Sequence, residues 1–366
     1  MKNKIKSILI ILITIATCLS VGVYAGYTLS ATDVTYTKSG GTTVSVKEAL
    51  DELHTIQPLA KAVSVGDYVA YDATNNYSYT PPKGSGSSSG AGTTEGEVFS
   101  TPGNTLVIKN QKFTSSSSIK WRVLGWDEET GGVVLISEAP IKTDAGNDLY
   151  LRGAIGYLYA EQELNKICSI YGHGTGANTS KKFNYVTGDV IEGTTVGTIT
   201  GSGARSINVD DVNKICNVTP SKALDSYYGK APYKKSIYYP TTSKSTGYST
   251  SAASRTDVYT SYSYTGSKYL TSTEEPYKML FRNIADSSNI SYWLASRCVT
   301  SGSSYCNFYV RYVTSGNVGS SNLGYGGSSS FNEDSNGRGV RPIVYLKSSI
   351  QTNGKNASGA WTIIDK

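Results

Sequence analysis

Hydrophobic and polar residues along the chain form a pattern that predicts strands and helices in turn. Residues 119–126 (IKWRVLGW) are rich in the β-branched and aromatic residues that favour extended structure. Glycines at 131–132 separate this run from a second apolar run at residues 133–137. Two such runs joined by a glycine turn are typical of a β-hairpin, here with Trp121 and Trp126 on its first strand.

Two further segments have apolar residues at helical spacing. Residues 157–170 carry Leu164, Ile167 and Ile170 on one face of a helix. Residues 206–215 repeat the spacing, with acidic residues early and a lysine late, as the helix dipole favours. The combination indicates the α+β class, with small twisted antiparallel sheets, two helices and long Tyr/Ser/Gly-rich insertions.

A polar stretch near the C-terminus is bracketed by two predicted buried strands, residues 292–297 (YWLASR) and residues 339–346 (GVRPIVYL). Between them, residues 298–339 are about two thirds Ser, Gly, Asn or Tyr and contain no lysine. Such runs are often linkers, but a linker does not need spaced apolar residues such as Val310 and Leu323. Antibody loops use the same four residue types for contact. We therefore interpret residues 298–339, called the ribbon below, as a displayed binding surface.

The residues of this C-terminal domain separate into predicted contacts and predicted scaffold. The predicted ligand contacts are Tyr305, Asn307, Tyr309, Tyr312, Asn317, Ser320, Ser321, Asn322, Tyr325, Ser328, Phe331, Asn332 and Arg338. The predicted scaffold residues are Trp121, Trp126, Trp293, Phe308, Val310, Val313, Leu323 and Val344. Strict alternation along residues 307–313 places Tyr312 on the same face as Phe308 and Val310, which leaves the exposure of Tyr312 open.

The N-terminus has the pattern of a secretory signal peptide. Lys2, Lys4 and Lys6 precede an uncharged apolar stretch at residues 8–23, which ends in a small-residue cleavage pattern at residues 23–25. The stretch is close to the roughly 18 residues that span a bilayer, so an uncleaved signal anchor is the alternative. The prediction is an extracytoplasmic protein that is secreted or held on the cell surface.

Net charge argues against one class of partner. Removal of the three leader lysines lowers the formal net charge from +6 to +3, because no acidic residue is lost with them. No segment concentrates lysine or arginine, as a nucleic-acid-binding surface requires. Nucleic acid is therefore not expected as a partner.

Four cysteines follow the leader, and an even number in an exported chain favours disulfides. Cys168 and Cys216 each end an Asn-Lys-Ile-Cys segment on a predicted helix, whereas Cys298 and Cys306 flank a short Ser/Gly turn. We expect them to pair in that order, Cys168 with Cys216 and Cys298 with Cys306.

The sequence offers little for metal or catalytic chemistry. It contains no Cys-x-x-Cys, and neither of the two histidines completes a zinc-ligand pattern, since His54 is remote from every cysteine and His173 follows the single Cys168 by five residues. No histidine or paired carboxylate near the ribbon cysteines offers a general base. No metal, cofactor or catalytic residue is predicted, and the chain is not expected to be an enzyme.

The pattern also predicts how the chain is divided. The predicted parts are a signal peptide or anchor (residues 1–25), an arm with a short helix at 46–53 (residues 26–60) and a binding domain (residues 61–366) that includes a tether (77–96), an insertion (220–270) and the ribbon (298–339). Residues 31–53 (ATDVTYTKSGGTTVSVKEALDEL) resemble small repeats of bacterial surface proteins and phage tail fibres. That resemblance implies either a spacer or a trimerising arm.

The order of strand, tether, Trp hairpin, two helices, insertion, YWLASR, ribbon and GVRPIVYL resembles the C-type-lectin-like fold. It is similar to the bacterial version shared with formylglycine-generating enzymes. The ribbon resembles the variable region of diversity-generating retroelement target proteins, in which adenines of a template repeat are copied as random bases. Asn codons then scatter into residues such as Asn, Ser, Gly and Tyr, a set that fits the ribbon apart from Glu333. The resemblance implies an exposed Tyr312.

Two alternatives accompany this reading. The first is a formylglycine-generating-enzyme-like catalytic domain that uses Cys298 and Cys306. The second is a calcium-dependent glycan-binding lectin, although the Glu-Pro-Asn and Gln-Pro-Asp ligand motifs are missing and Glu333-Asp334 is a weak carboxylate pair. The prediction is an exported adhesin-like or receptor-like protein whose partner is a protein or glycan on another cell, phage or host surface. Contact with a membrane is expected only through an uncleaved N-terminal anchor.

Overall fold

The fold is described by a computed structural model for a defined part of the chain. The described residues are 34–37, 43–47, 56–81, 112–186, 196–217, 236–237, 248–249, 264–265, 270–282, 290–301, 305–314, 316–327, 331–333 and 335–365. The predicted leader, residues 82–96 of the tether and most of the insertion lie outside them. The chain divides into two compact units, Met1–Gln57 with Thr352–Gly354 and Pro58–Gln351 with Lys355–Lys366.

The described part of the smaller unit includes a short hairpin. Thr35–Thr37 (β1) pairs with Thr43–Ser45 (β2) in antiparallel register. Of the helix predicted at residues 46–53, only Val46 and Lys47 are described, and both are helical.

The central sheet of the larger unit is formed by the segments that the sequence marks as most apolar. Its strands are Tyr68–Val69 (β4), Trp121–Trp126 (β7), Val133–Ser137 (β8), Ala204–Ser206 (β12) and Pro342–Tyr345 (β21). They are antiparallel in the order β12-β21-β8-β7-β4. All residues of β8 and β21 are buried, so both faces of this sheet are covered.

The predicted Trp hairpin is confirmed as β7 and β8, and its turn requires glycine at two successive positions. Gly131 has a φ of 72°, and a Cβ on Gly132 would lie 2.1 Å from the carbonyl oxygen of Leu346. Trp121 is buried, but Trp126 at the end of β7 is 40% exposed and donates from Nε1 to the carbonyl of Ala60 at 3.0 Å. The prediction of Trp126 as a buried scaffold residue was therefore wrong.

A second sheet, called the ribbon sheet below, contains most of the ribbon. Its strands are Tyr264–Thr265 (β15), Ser291–Ser301 (β16), Tyr305–Thr314 (β17), Asn317–Gly327 (β18) and Phe331–Glu333 (β19). They are antiparallel in the order β15-β18-β17-β16, and β19 pairs with β18.

The other strands are short. They are Gln57–Pro58 (β3), Ser78–Tyr79 (β5) with Phe113–Thr114 (β6), Leu149–Arg152 (β9) with Ser335–Arg338 (β20), Phe183–Val186 (β10) with Val196–Ile199 (β11), Ser236–Ile237 (β13) with Tyr248–Ser249 (β14), and Gln351–Thr352 (β22). The protein is thus of mixed α/β composition with mainly small antiparallel sheets, compatible with the predicted α+β class.

Four helices are described in the larger unit, two more than the sequence predicts. They are Leu59–Ala62 (α1), Gly153–Ser169 (α2), Val209–Ile215 (α3) and Glu275–Phe281 (α4). The prediction for α2 is confirmed, whereas α3 begins at Val209. Asn208 caps it by accepting from the backbone of Asp211, and the Asp211 carboxylate accepts from the backbone of Asn208. Such a capping box fixes a helix start, and Ser206 belongs to β12 instead.

Two hydrophobic cores pack on the sheets. The first core joins α2 to the central sheet through residues such as Leu164 and Leu135. The second joins α3 and α4 to the opposite side through residues such as Leu280 and Ile136. Because Leu135 and Ile136 are neighbours on one strand, the two cores lie on opposite faces of the central sheet.

Arg341 connects the two sheets where they meet. The side chain has no exposed surface, and its Nε and Nη2 donate to the carbonyl of Ser137 at 3.1 and 2.9 Å. Nη2 also donates to the carbonyl of Glu138 at 3.0 Å, and the guanidinium lies 5.0 Å from the ring centroid of Tyr292 on β16. Burial lowers the pKa of Arg341. One buried cation therefore contacts a strand of each sheet.

Candidate binding surface

Three of the five strands of the ribbon sheet, β16, β17 and β18, are unusually long for so polar a sequence. β17 and β18 stay paired from Thr314 opposite Asn317 to Tyr305 opposite Gly327. Gly316 lies in the tight connection between them with a φ of 82°, and a Cβ there would lie 2.7 Å from the Tyr277 hydroxyl. The ribbon is therefore a regular sheet along most of its length, because a tight turn fixes its register.

One face of these strands is anchored in the first core. Trp293, Val310 and Leu323 have no exposed surface and belong to that core. The Trp293 indole donates to the carbonyl of Leu149 at 2.9 Å. Phe308 is opposite Gly324, whereas the next residue, Tyr309, is opposite Asn322. Leu323 therefore has no partner on β17 and is the extra residue of a β-bulge.

The other face is apolar near the turn and polar farther along. Val313 and Val318 pair with each other and belong to the second core. Beyond them on this face, Ser320, Tyr309 and Asn322 are only half-buried, and Tyr309 is directly opposite Asn322. Polar and aromatic side chains that are partly accessible on a rigid strand pair can provide specific contacts.

A buried polar cluster lies between these two parts of the same face. Cys298 and Arg311 are buried, and the Cys298 thiol is hydrogen-bonded with Ser320. Burial raises the pKa of Cys298 to about 11, although the nearby Arg311 acts in the opposite direction. The thiol is therefore protonated at neutral pH. Sequence reasoning missed Arg311; its signal was one of only two arginines in the ribbon, placed within a β-strand pattern.

The predicted contacts fall into three groups. Half-buried side chains are found at Tyr309, Tyr312, Asn317, Ser320, Asn322 and Arg338, whereas Ser321 is buried. The side chains of Tyr305, Asn307, Tyr325, Phe331 and Asn332 lie outside the described set, although their backbones belong to β17, β18 and β19. Ser328 lies outside the described residues, as does the side chain of the predicted scaffold residue Phe308.

Ser321 and Tyr312 correct the predicted surface. Ser321 is opposite Val310 on the core face and only 7% exposed, so it cannot be a surface contact. Tyr312 packs against the first core, with its ring at 6.4 Å and 84° to Trp293. Alternation along β17 thus predicted the orientation of Tyr312 correctly, whose half-buried ring lies on the core face and not on the face of Tyr309.

Arg338 is engaged within the fold. Its guanidinium lies 3.5 Å from the ring centroid of Tyr312, and Nη1 donates to the Ser291 hydroxyl at 2.7 Å. Burial lowers the pKa of Arg338. These contacts make Arg338 a residue that holds β20 against the ribbon sheet.

Neither predicted disulfide is present. Cys168 is a free thiol in the first core, whereas Cys216 packs in the second core. Cys298 is also free. It is opposite Tyr309, whereas position 306 is opposite Ser301. Positions 298 and 306 are therefore offset by three residues along the strands, which is about 10 Å, and they lie on opposite faces of the sheet. A disulfide requires Cα atoms within about 7 Å, so these two positions cannot form one.

Comparison of the chain with protein-family models, with curated proteins and with solved structures finds no match. Among the described residues, no group of three His, Cys, Asp or Glu side chains is placed to hold a metal ion. None of the helices in this described part is both long and apolar enough to cross a membrane. The class of the protein is therefore defined by its own architecture, a mixed α/β chain that presents a long polar strand pair.

Proposed function

We propose that this protein is an exported binding protein, secreted or on the cell surface, that recognises a protein or glycan ligand through its ribbon. The observation that carries the proposal is the two-faced character of β17 and β18. Val310 and Leu323 fill the first core, whereas Tyr309, Ser320 and Asn322 remain half-buried on the other face. Side chains that do not fill a core can vary at little cost in stability, and Tyr and Asn are well suited to recognition.

The finer part of the proposal is a C-type-lectin-like domain with a ribbon that a retroelement diversifies. Two placements support it. The YWLASR and GVRPIVYL segments form buried parts of β16 and β21, on either side of the ribbon in sequence. Backbone register also puts position 307 opposite position 325, so that these variable-type positions continue the row that Tyr309 and Asn322 begin. The N-terminal arm would then act as a spacer or trimerising stalk.

Binding is tested with the full chain without residues 1–25, immobilised and exposed to panels of cell-surface proteins and glycans. For the partner found, Tyr309→Asn is expected to weaken binding at least tenfold, because aromatic anchors dominate such interfaces. Asn322→Ser is expected to weaken binding less, because it shortens a polar side chain without removing an aromatic ring. Tyr77→Asn is the matched control, since Tyr77 is a 55% exposed tyrosine outside the ribbon. Unchanged affinity in both ribbon variants, with both folded, would contradict the proposal.

Diversification has a separate test in the DNA. A nearby near-identical repeat of the ribbon coding sequence, beside a reverse-transcriptase gene, should differ from it almost only at adenines. The differing codons should include those of Tyr309 and Asn322 and should spare those of Val310 and Leu323. If no such repeat exists, the retroelement proposal fails and a fixed binding surface remains.

A further inference from the structure

A separate cleft opens on the second-core side of the central sheet. Its volume is about 820 Å³, within the range of small-molecule sites. The described residues that line it come from β7, β8, β10, β12, β16, β21, α2, α3 and α4 and from the loops beside them. None of the predicted ribbon contacts is among these lining residues, so the cleft is distinct from the surface proposed above.

The floor and one wall of the cleft are apolar and aromatic. Val134 and Ile343 of the central sheet form part of the floor. Above them the rings of Phe183 and Tyr345 lie 5.1 Å apart with an angle of 45° between their planes. These two rings are themselves buried, and the aromatic surfaces that a ligand can reach are those of Trp126, which is 40% exposed, and of the half-buried Tyr185, both of which line the cleft.

The first charged group in the wall is held by ion pairs. Lys181 Nζ donates to both carboxylate oxygens of Asp127, at 2.9 and 2.8 Å, and to Glu129 at 2.9 Å. The side chains of Lys181 and Asp127 are only 13% and 8% exposed. Although burial acts in the opposite direction, these hydrogen bonds raise the pKa of Lys181. Both partners therefore stay ionised and fixed.

The second group is organised around Arg205. Its two Nη atoms donate to the two carboxylate oxygens of Asp211 at 2.7 Å each, and Nη2 also donates to the Tyr345 hydroxyl at 2.7 Å. The guanidinium lies over the rings of Phe183 and Tyr345, at 5.8 and 5.5 Å from their centroids. Because the Tyr345 oxygen accepts from Arg205, its own proton is the one it can donate to a ligand.

The charge arrangement selects the class of ligand. Among the buried charges of the wall, an anion would have to compete with Asp211 for Arg205, and a cation would have to compete with Lys181 for Asp127. The other charged lining groups are the exposed Lys182, the exposed pair of Lys214 and Glu128 at 2.8 Å, and the buried Glu161, which accepts from the backbone of Arg297. An uncharged ligand does not have to displace a protein side chain from an ion pair, provided that its closely spaced polar groups can both donate and accept hydrogen bonds. Hydroxyl groups have this property, and the C–H faces of a sugar ring suit the aromatic wall. We infer that the cleft binds a saccharide.

The cleft can be blocked at one position. Gly125 lines it and is paired with Val134, whose side chain belongs to the second core. A Cβ built on Gly125 meets no atom within 4 Å. Gly125→Leu therefore projects into open space in the cleft. Lys120→Leu is the matched control, because Lys120 is 70% exposed and does not line the cleft.

The probes are a glycan array for the mature full chain, followed by calorimetric titration with the strongest saccharide. Gly125→Leu is expected to weaken binding at least tenfold, and Lys120→Leu to leave it unchanged. Tyr345→Phe removes only the hydroxyl and is expected to weaken binding about three- to tenfold. Should Gly125→Leu fail to fold, as a thermal melt will show, Tyr345→Phe still tests the site.

Three results would overturn the inference of a saccharide site in the cleft. Each of them can be told apart from a failure of the proposed ribbon function. The first is that no saccharide of the array binds. The second is that a saccharide binds but responds to Tyr309→Asn and not to the cleft variants, which would place it on the ribbon. The third is that Gly125→Leu weakens the binding of peptides from a library tested in parallel but does not weaken the binding of any saccharide.

Discussion

The central sheet and the ribbon sheet are both antiparallel and both contribute to the two cores, but their sequences differ sharply. In β8 (VVLIS) every residue is buried. In β18 (NVGSSNLGYGG) Val318 and Leu323 are buried, whereas Ser320 and Asn322 are half-buried. A few apolar residues in the correct register are thus enough to hold a polar strand, and polar residues such as Ser320 and Asn322 stay half-buried between them.

The largest effect is expected in the central sheet. Trp121→Ala should lower the free energy of unfolding by about 3–5 kcal/mol, as large-to-small changes of buried aromatics do. Trp121 is 1% exposed and packs edge-on against Tyr71 with ring centroids 5.4 Å apart. Trp126→Ala on the same strand is the control and should cost about 1 kcal/mol. Equal losses in urea denaturation would contradict the assigned orientation of β7.

The ribbon sheet is tested by two adjacent residues of β18. Leu323→Ala should destabilise the protein by about 2–4 kcal/mol, because Leu323 has no exposed surface and fills the first core. Asn322→Ala should change the free energy of unfolding by about 0.5 kcal/mol. A small effect for Leu323→Ala, measured by the same denaturation, would show that the ribbon is not anchored at its bulge.

The buried thiol of Cys298 in the ribbon sheet should make the stability of the protein decrease at alkaline pH. Burial raises the pKa of Cys298 from 9.0 to about 11. Between these values the unfolded chain has released a proton that the folded chain retains, so stability that is present below about pH 9 is lost as pH rises towards 11. The loss is about 2–3 kcal/mol at one such site. The free energy of unfolding, measured by urea denaturation, should decrease less between pH 7 and pH 10 for Cys298→Ala than for the unaltered protein. An identical decrease would contradict the burial of this thiol.

The smallest effect is expected on the polar face. Tyr309→Asn and Asn322→Ser should each change the free energy of unfolding by about 0.5 kcal/mol or less, as substitutions outside a core usually do. Calorimetric melting temperatures of the two variants check this. A variant that is unfolded or melts at a much lower temperature would mean that this face contributes to stability and is not free to serve in recognition.

Local patterns predicted the elements whose signals are local. The periodicity of residues 157–170 predicted α2 because its buried face packs on one core, and the Gly-Gly turn predicted the β7–β8 hairpin. The start of α3 was misplaced, although the Asn208 and Asp211 pair that caps it was legible as an N-terminal signature. Apolar spacing alone does not show where a strand gives way to a helix.

Two further predictions failed because they depended on strand register. The Cys298–Cys306 pair looked like a hairpin staple, but three residues of offset put the two positions on opposite faces. Ser321 has the composition of a contact residue and yet is opposite Val310 on the core face. A shift of one residue inverts every side chain of a strand, and composition carries no information about such a shift. The cleft was missed for a related reason, since Lys181, Arg205 and Tyr345 are brought together only by tertiary packing.

Arg341 has a consequence for how the molecule comes apart. Its guanidinium donates to carbonyls of the β8 end and lies against Tyr292 of β16. If either sheet opened alone, a buried cation would lose its partners, which is strongly unfavourable. The two sheets should therefore open as one cooperative unit, and amide protons of β8 and β16 should exchange with solvent at the same free energy. The half-buried polar face of the ribbon would then rest on the slowest-exchanging part of the protein.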